Sequence, residues 1–214
     1  RGASLEWAGL GPVIWQVEKD EFCRSVLERH WPDVERFDDV RECHPQPADI
    51  LCGGFPCQDI SSTGSGEGLA GPRSGLWSEY ARVIAEVRPR FVVVENVSAL
   101  LSRGMGAVLG DLAALGYSAQ WDVLAAADVG APHVRERLFI VAYPDGEGSQ
   151  GADPKRPARW RRPARYHRWS PEPEVARVDD GTPGRVGQIR ALGNAVVPQC
   201  AEVIGWVIRE LAGI

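Results

Sequence analysis

Four consecutive residues, Phe91 to Val94 in the stretch "RFVVVENV" (90–97), leave no room for a polar face. A strand that must bury both of its sides belongs inside a sheet covered by helices above and below, which is the situation of α/β folds. The flanking sequence supplies those helices. "GLWSEYARVIAEV" (75–87) precedes the run with helical spacing, and "GAVLGDLAALG" (106–116) follows it, ending on Gly116 as a helix terminus prefers. Further strands are read at "PVIWQVE" (12–18), "DILCGGF" (49–55), "YSAQWDVL" (117–124) and "RLFIVAY" (137–143), with a helix over 19–31 carrying Phe22, Val26 and Leu27. Strand alternating with helix predicts an α/β chain whose doubly wound, mostly parallel sheet is Rossmann-like.

The alternation stops at Pro144, and from there to about Gly187 Pro, Gly and Arg dominate. Residues 1–143 are therefore expected to form the main domain, 144–188 an insert, and 189–214 a segment that returns to the domain through a turn at Gly193 and Asn194 and an amphipathic helix after Pro198. The chain's 214 residues suffice for one substantial core. Its net charge of −5 hides a local excess: "KRPARWRRPARYHR" (155–168) holds seven Lys or Arg and no acid, interleaved with Trp160 and Tyr166. Such a cluster is suited to phosphates and stacked bases, or else it is a plain basic tether.

Five cysteines, an odd number without CxxC pairs, predict neither a disulfide framework nor a metal cluster, so no metal is expected. No stretch approaches the roughly 18 apolar residues of a membrane span. The expected setting is a reducing cytoplasm without membrane attachment.

Ligands of open α/β sheets bind beyond the carboxyl ends of the strands, so residues just past those ends are the first candidates for chemistry. Glu18 ends one predicted strand, Cys57 follows another and Glu95 closes the most apolar one. A cysteine on such a loop, near backbone N–H groups and arginines, is a candidate nucleophile, with a carboxyl group beside it to handle protons. Taken singly, each has a blander reading, as a small core residue or a salt-bridge partner.

Together these elements resemble the DNA (cytosine-5)-methyltransferases. "GGFPCQDIS", "ENV" some 40 residues on, "GAPHVRERLFIVA" (130–142) and "ALGNAVVPQ" (191–199) occur in that family's order, and the resemblance spans the chain apart from the insert. It implies a Rossmann-like fold using S-adenosyl-L-methionine, and double-stranded DNA as substrate. The expected product is DNA carrying C5-methylated cytosine, made by a monomer in a bacterial or phage-infected cell, with a cognate restriction endonuclease as a possible companion. The resemblance makes Cys57 the nucleophile that adds to C6 of a flipped cytosine and Glu95 the acid that grips the ring's N3 edge. Arg135 and Arg137 are the Arg-x-Arg pair set near the base.

By the same resemblance Glu18 binds the cofactor's ribose and Asp39 its adenine amino group, with Asp38 a close rival, while Pro56 and Asn194 complete the cofactor pocket. Gln58, Ser61 and Arg73 fall on the loop expected to close over DNA, a lid whose stretch 62–75 holds five glycines, and Arg161, Arg162 and Arg165 in the insert would meet phosphate. Two departures from the family pattern stand out. His133 occupies a usual glutamine position, and the family's opening strand and Phe-x-Gly-x-Gly turn have no counterpart after Arg1, which predicts a first strand missing from the sheet. Two other readings are a truncated, catalytically silent DNA-binding remnant and an unrelated α/β thiol enzyme.

Overall fold

The computed structural model of the chain describes residues 5–6, 8–56, 75–146 and 195–214. Strand β1 (Trp15–Val17) leads into helix α1 (Glu21–His30), then come β2 (Glu35–Phe37), a short 3₁₀ turn (Val40–Glu42), β3 (Ile50–Gly54), α2 (Leu76–Val87) and β4 (Phe91–Asn96). After β4 the order is α3 (Leu100–Arg103), α4 (Met105–Ala114), β5 (Tyr117–Ala125), a second 3₁₀ turn (Ala126–Val129), β6 (Glu136–Pro144) and the terminal helix α5 (Pro198–Ala212). The predicted strands and helices are all present, with ends that shift by up to three residues, and β5 and β6 run longer than read. β2 escapes the hydrophobic pattern because its three residues are "ERF".

The described strands form a four-stranded sheet in the order β3-β4-β6-β5 and a separate parallel pair, β1-β2. β3 and β4 run parallel, joined through α2, as the alternation predicts. Both pairings of β6 are antiparallel. A parallel return needs a crossover of a dozen residues or more, whereas only ten residues, 126–135, separate β5 from β6. β1 and β3 each have one side without a strand partner among the described residues.

Every residue of β4 is buried, and the strand period of two divides them between two cores. Val92 and Val94, with Leu138 and Ile140 of β6, meet Trp77, Tyr80 and Ile84 of α2 and Val108 and Leu112 of α4. Phe91 and Val93, with Phe139 and Val141, meet Val203, Ile204, Val207, Ile208 and Leu211 of α5. Each fully buried Val, Leu or Ile there is worth about 1.5–3 kcal/mol of burial. Helix α5 packs so closely at Gly205 that a side chain there would strike the Cβ of Ala8. The sheet is thus covered on both faces, and its carboxyl edge, where β3 and β4 end at Gly54 and Asn96, is held between α2 and α5.

Candidate active site at the carboxyl edge of the sheet

The register of the sheet assembles this edge. Gly54 pairs with Glu95, and Glu95 pairs with Phe139, which places Arg137 as the diagonal neighbour of Glu95 on the same face. The Arg137 Nε donates to Glu95 Oε1 at 2.9 Å, and the two side chains are only 18% and 9% exposed. The contact joins two strands and fixes the Glu95 carboxyl group at a strand end.

Arg135 lies two residues earlier, just before β6 begins at Glu136, and close enough to Arg137 and Glu95 for their charges to act on it. Its Nη2 donates to the carbonyl of Ala195 at 2.8 Å, tying β6 to the residue that follows Asn194. Burial, and then the neighbouring charge of Arg137, lower the Arg135 guanidinium below its ordinary pKa, with Glu95 partly opposing them. Glu95, Cys52, Gly53, Val93 and Phe139 line a small cavity together with Leu5 and the Val196, Ala201 and Ile204 side of α5. It measures about 20 Å³ and is partly open to solvent.

One wall of the site is built by residues that the sequence reading passes over. Asn96, 5% exposed, donates from Nδ2 to the carbonyl of Phe55 at 2.9 Å, while its Oδ1 accepts from the N–H of Val97 at 2.8 Å. The Phe55 ring packs tilted against Trp77 at 5.0 Å between centroids, and Trp77 meets Tyr80 edge-on at 5.9 Å and donates from Nε1 to the buried Asp111 at 2.8 Å. Tyr80 in turn donates to the carbonyl of Val93 at 3.0 Å and lies under Gly53, where a Cβ would come within 3.1 Å of its ring. The Phe55-Pro56 exit of β3 is therefore fixed from both sides, with Pro56 exposed. The aromatic and Asn signals were visible in "ENV" and "GLWSEY", but no sequence rule assigns them this partner.

The second cluster of candidate residues stands at the ends of β1 and β2. Glu18 follows β1 half-buried, its N–H on the carbonyl of Phe37 at 3.1 Å and its Oε1 accepting from the N–H of Asp20 at 2.9 Å. Asp39 caps the 3₁₀ turn after β2, accepting from Arg41 N at 3.0 Å and from Lys19 Nζ at 3.1 Å. The hydrogen bond from the Arg41 backbone, then that from Lys19, holds its carboxyl below the usual range. Asp38 points elsewhere, to Arg24 of α1 at 2.7 Å, and is 79% exposed.

Cys57, Gln58, Ser61, Arg73, Arg161, Arg162, Arg165 and Asn194 lie outside the described residues, as do most of the expected lid and insert. Among the described residues no cluster of His, Cys, Asp and Glu is arranged to hold a metal, and no helix is long and apolar enough to cross a membrane.

Sheet, double helical cover and strand-end acids define a Rossmann-like methyltransferase fold, and solved structures share it. A DNMT2 variant from Spodoptera frugiperda superposes with a TM-score of 0.53 at 17% identity, covering 67% of this chain and 46% of that one. A putative DNA modification methyltransferase encoded in an Escherichia coli prophage gives 0.52 at 23%, covering 67% and 43%. Residues 2–170 match the C-5 cytosine-specific DNA methylases, and the chain belongs to that family. It is 33% identical over 134 residues to the Type II methyltransferase M2.BsuMI of Bacillus subtilis, covering 58% of this chain and 34% of the relative. With M.HhaI of Haemophilus parahaemolyticus it shares 32% over 146 residues, covering 65% and 44%. The chain thus spans less than half the length of these relatives.

Proposed function

We propose that this chain carries out DNA cytosine C5 methylation on double-stranded DNA, with Cys57 as nucleophile, Glu95 as the acid that grips the base and S-adenosyl-L-methionine as methyl donor. The observation that carries the reading is the buried Glu95–Arg137 pair beside a cavity, next to an Asn96 that anchors Phe55, two residues before Cys57.

Cytosine C5 is too weak a nucleophile to accept a methyl group unaided. Addition of the Cys57 thiolate at C6 moves electron density onto C5 and N3, and Glu95, kept in place by Arg137, donates its proton to N3 and accepts from the amino group as charge develops there. The base reaches the thiolate only when turned out of the duplex, at a cost of roughly a few kcal/mol. The donor sets at Glu18 and Asp39 suit an adenosyl group: two half-buried carboxylates at the ends of adjacent parallel strands accept hydrogen bonds from ribose hydroxyls and from an adenine amino group. When bound, S-adenosylmethionine supplies the electrophilic methyl that C5 takes up. Transfer of the C5 proton to water, return of the N3 proton to Glu95 and departure of the thiolate from C6 then restore the ring and free the cysteine.

In this reading Pro56 and Asn194 border the cofactor, Gln58, Ser61 and Arg73 face the DNA, and Arg161, Arg162 and Arg165 neutralise phosphate. A cognate restriction endonuclease is the companion that a Type II modification activity implies. The test is covalent trapping on duplex DNA containing 5-fluorocytosine in the presence of S-adenosylmethionine. A denaturation-resistant complex that disappears in Cys57→Ser supports the mechanism, and a complex that persists in that variant overturns it.

A further inference from the structure

Arg82 of α2 donates to two backbone carbonyls of the segment after β2. Its Nη2 donates to the carbonyl of Val40 at 2.6 Å and its Nη1 to the carbonyl of Cys43 at 3.2 Å, bracketing the 3₁₀ turn that Asp39 caps. The guanidinium is aimed by its own helix: Nε meets Glu79 at 2.8 Å and Nη1 meets Glu86 at 2.7 Å, one turn to either side. Glu86 is in turn met by Nδ1 of His44, at 3.1 Å, from the far end of the same segment. The turn itself has no buried residue, whereas α2 buries Trp77, Tyr80, Ala81, Val83, Ile84 and Val87.

A planar fork with donors in fixed directions transmits that rigidity to the turn as a flexible point charge would not. Asp39 is the residue immediately before Val40, so the orientation of its carboxylate follows the position of the clamped carbonyl. The geometry points to Arg82 as a positioning residue for adenine selectivity, acting through Asp39 and 43 residues from it in the chain. This inference rests on the reading of Asp39 as the acceptor of the adenine amino group.

The test compares S-adenosylhomocysteine with S-inosylhomocysteine, in which a carbonyl oxygen on C6 replaces the amino group and N1 carries a hydrogen. A well-aimed Asp39 carboxylate accepts from the amino group and repels the oxygen, so the chain is expected to favour the adenosyl compound by about tenfold or more in titration calorimetry. Arg82→Met is expected to reduce that preference towards the value of Asp39→Ala, with Arg82→Lys in between, while affinity for duplex DNA stays unchanged. If Arg82→Met and Arg82→Lys bind both compounds more weakly but keep the full preference, Arg82 is merely structural and the inference fails. If Arg82→Met does not fold, Arg82→Lys alone decides by the same ratio. A chain that shows no preference, with Asp39→Ala unchanged, overturns the reading of Asp39 itself and the inference with it.

Discussion

The Arg137 guanidinium sits 2.9 Å from the Glu95 carboxylate on adjacent antiparallel strands, and both side chains are largely withdrawn from water. Removing one member of such a pair takes a bonded counter-charge from the other, which stays buried. Arg137→Met is therefore expected to destabilise the chain by about 3–5 kcal/mol in urea denaturation. Turnover should fall by about 10²–10³, because the acid loses the group that orients it. Adding Glu95→Gln to that variant should recover much of the stability and none of the activity. Recovery of neither would mean that the pair is not an isolated unit.

Asn96 offers a cleaner separation of positioning from folding. Its Nδ2 satisfies the carbonyl of Phe55, whose loss as a partner in Asn96→Ala costs about 1–3 kcal/mol. Asn96→Asp keeps the acceptor for Val97 N but turns an oxygen toward that carbonyl, and is expected to be the worse of the two. In both variants kcat should drop while DNA affinity holds, since the change displaces the residues leading to Cys57 and leaves the basic insert alone. Filter binding and single-turnover rates measured together check this.

The parts of this architecture legible in the sequence are those that hydrophobic period or residue order encodes. The run Phe91 to Val94 announced a doubly covered strand, and it is buried throughout with helices on both faces. β2 was not legible, since three residues of a half-exposed "ERF" strand carry no alternation to detect. The antiparallel placement of β6 follows from the short β5–β6 connection, which regular strand-helix alternation leaves out of account. The partners of Asn96 and Arg82 are backbone carbonyls 41 and 39–42 residues away. Any residue can offer a carbonyl, so nothing in the sequence marks which ones are used.

The contact between α5 and the segment around Ala8 gives a reciprocal prediction. Gly205 has no room for a Cβ because that of Ala8 occupies it, so Gly205→Ala should force the two apart and cost about 1–3 kcal/mol by overpacking. Arg209, whose Nη1 donates to the Ala8 carbonyl at 3.3 Å, would lose that bond as well. Ala8→Gly combined with Gly205→Ala moves the methyl from one partner to the other. The double variant should return to wild-type stability or exceed it by up to about 1 kcal/mol, since alanine favours a helix interior over glycine. Thermal midpoints of the four proteins test the cycle.

Cys200 gives the chain a base-sensitive element that is separate from the proposed nucleophile. It is 2% exposed at the start of α5, and burial, with a smaller contribution from Asp128, pushes its thiol up to about 11. Raised in the folded chain, this group holds its proton more tightly there than in the unfolded chain, where a thiol ionises near pH 9. Its contribution to stability is thus complete below pH 9 and is lost as pH rises from there through about 11. Cys200→Ala should flatten that part of the stability–pH curve while lowering stability at neutral pH through the lost packing against the Val203 and Ile204 side of the core. The same burial should keep Cys200 unmodified when the native protein is treated with iodoacetamide at pH 8 and expose it to alkylation in urea, which mass spectrometry of the labelled peptides would resolve.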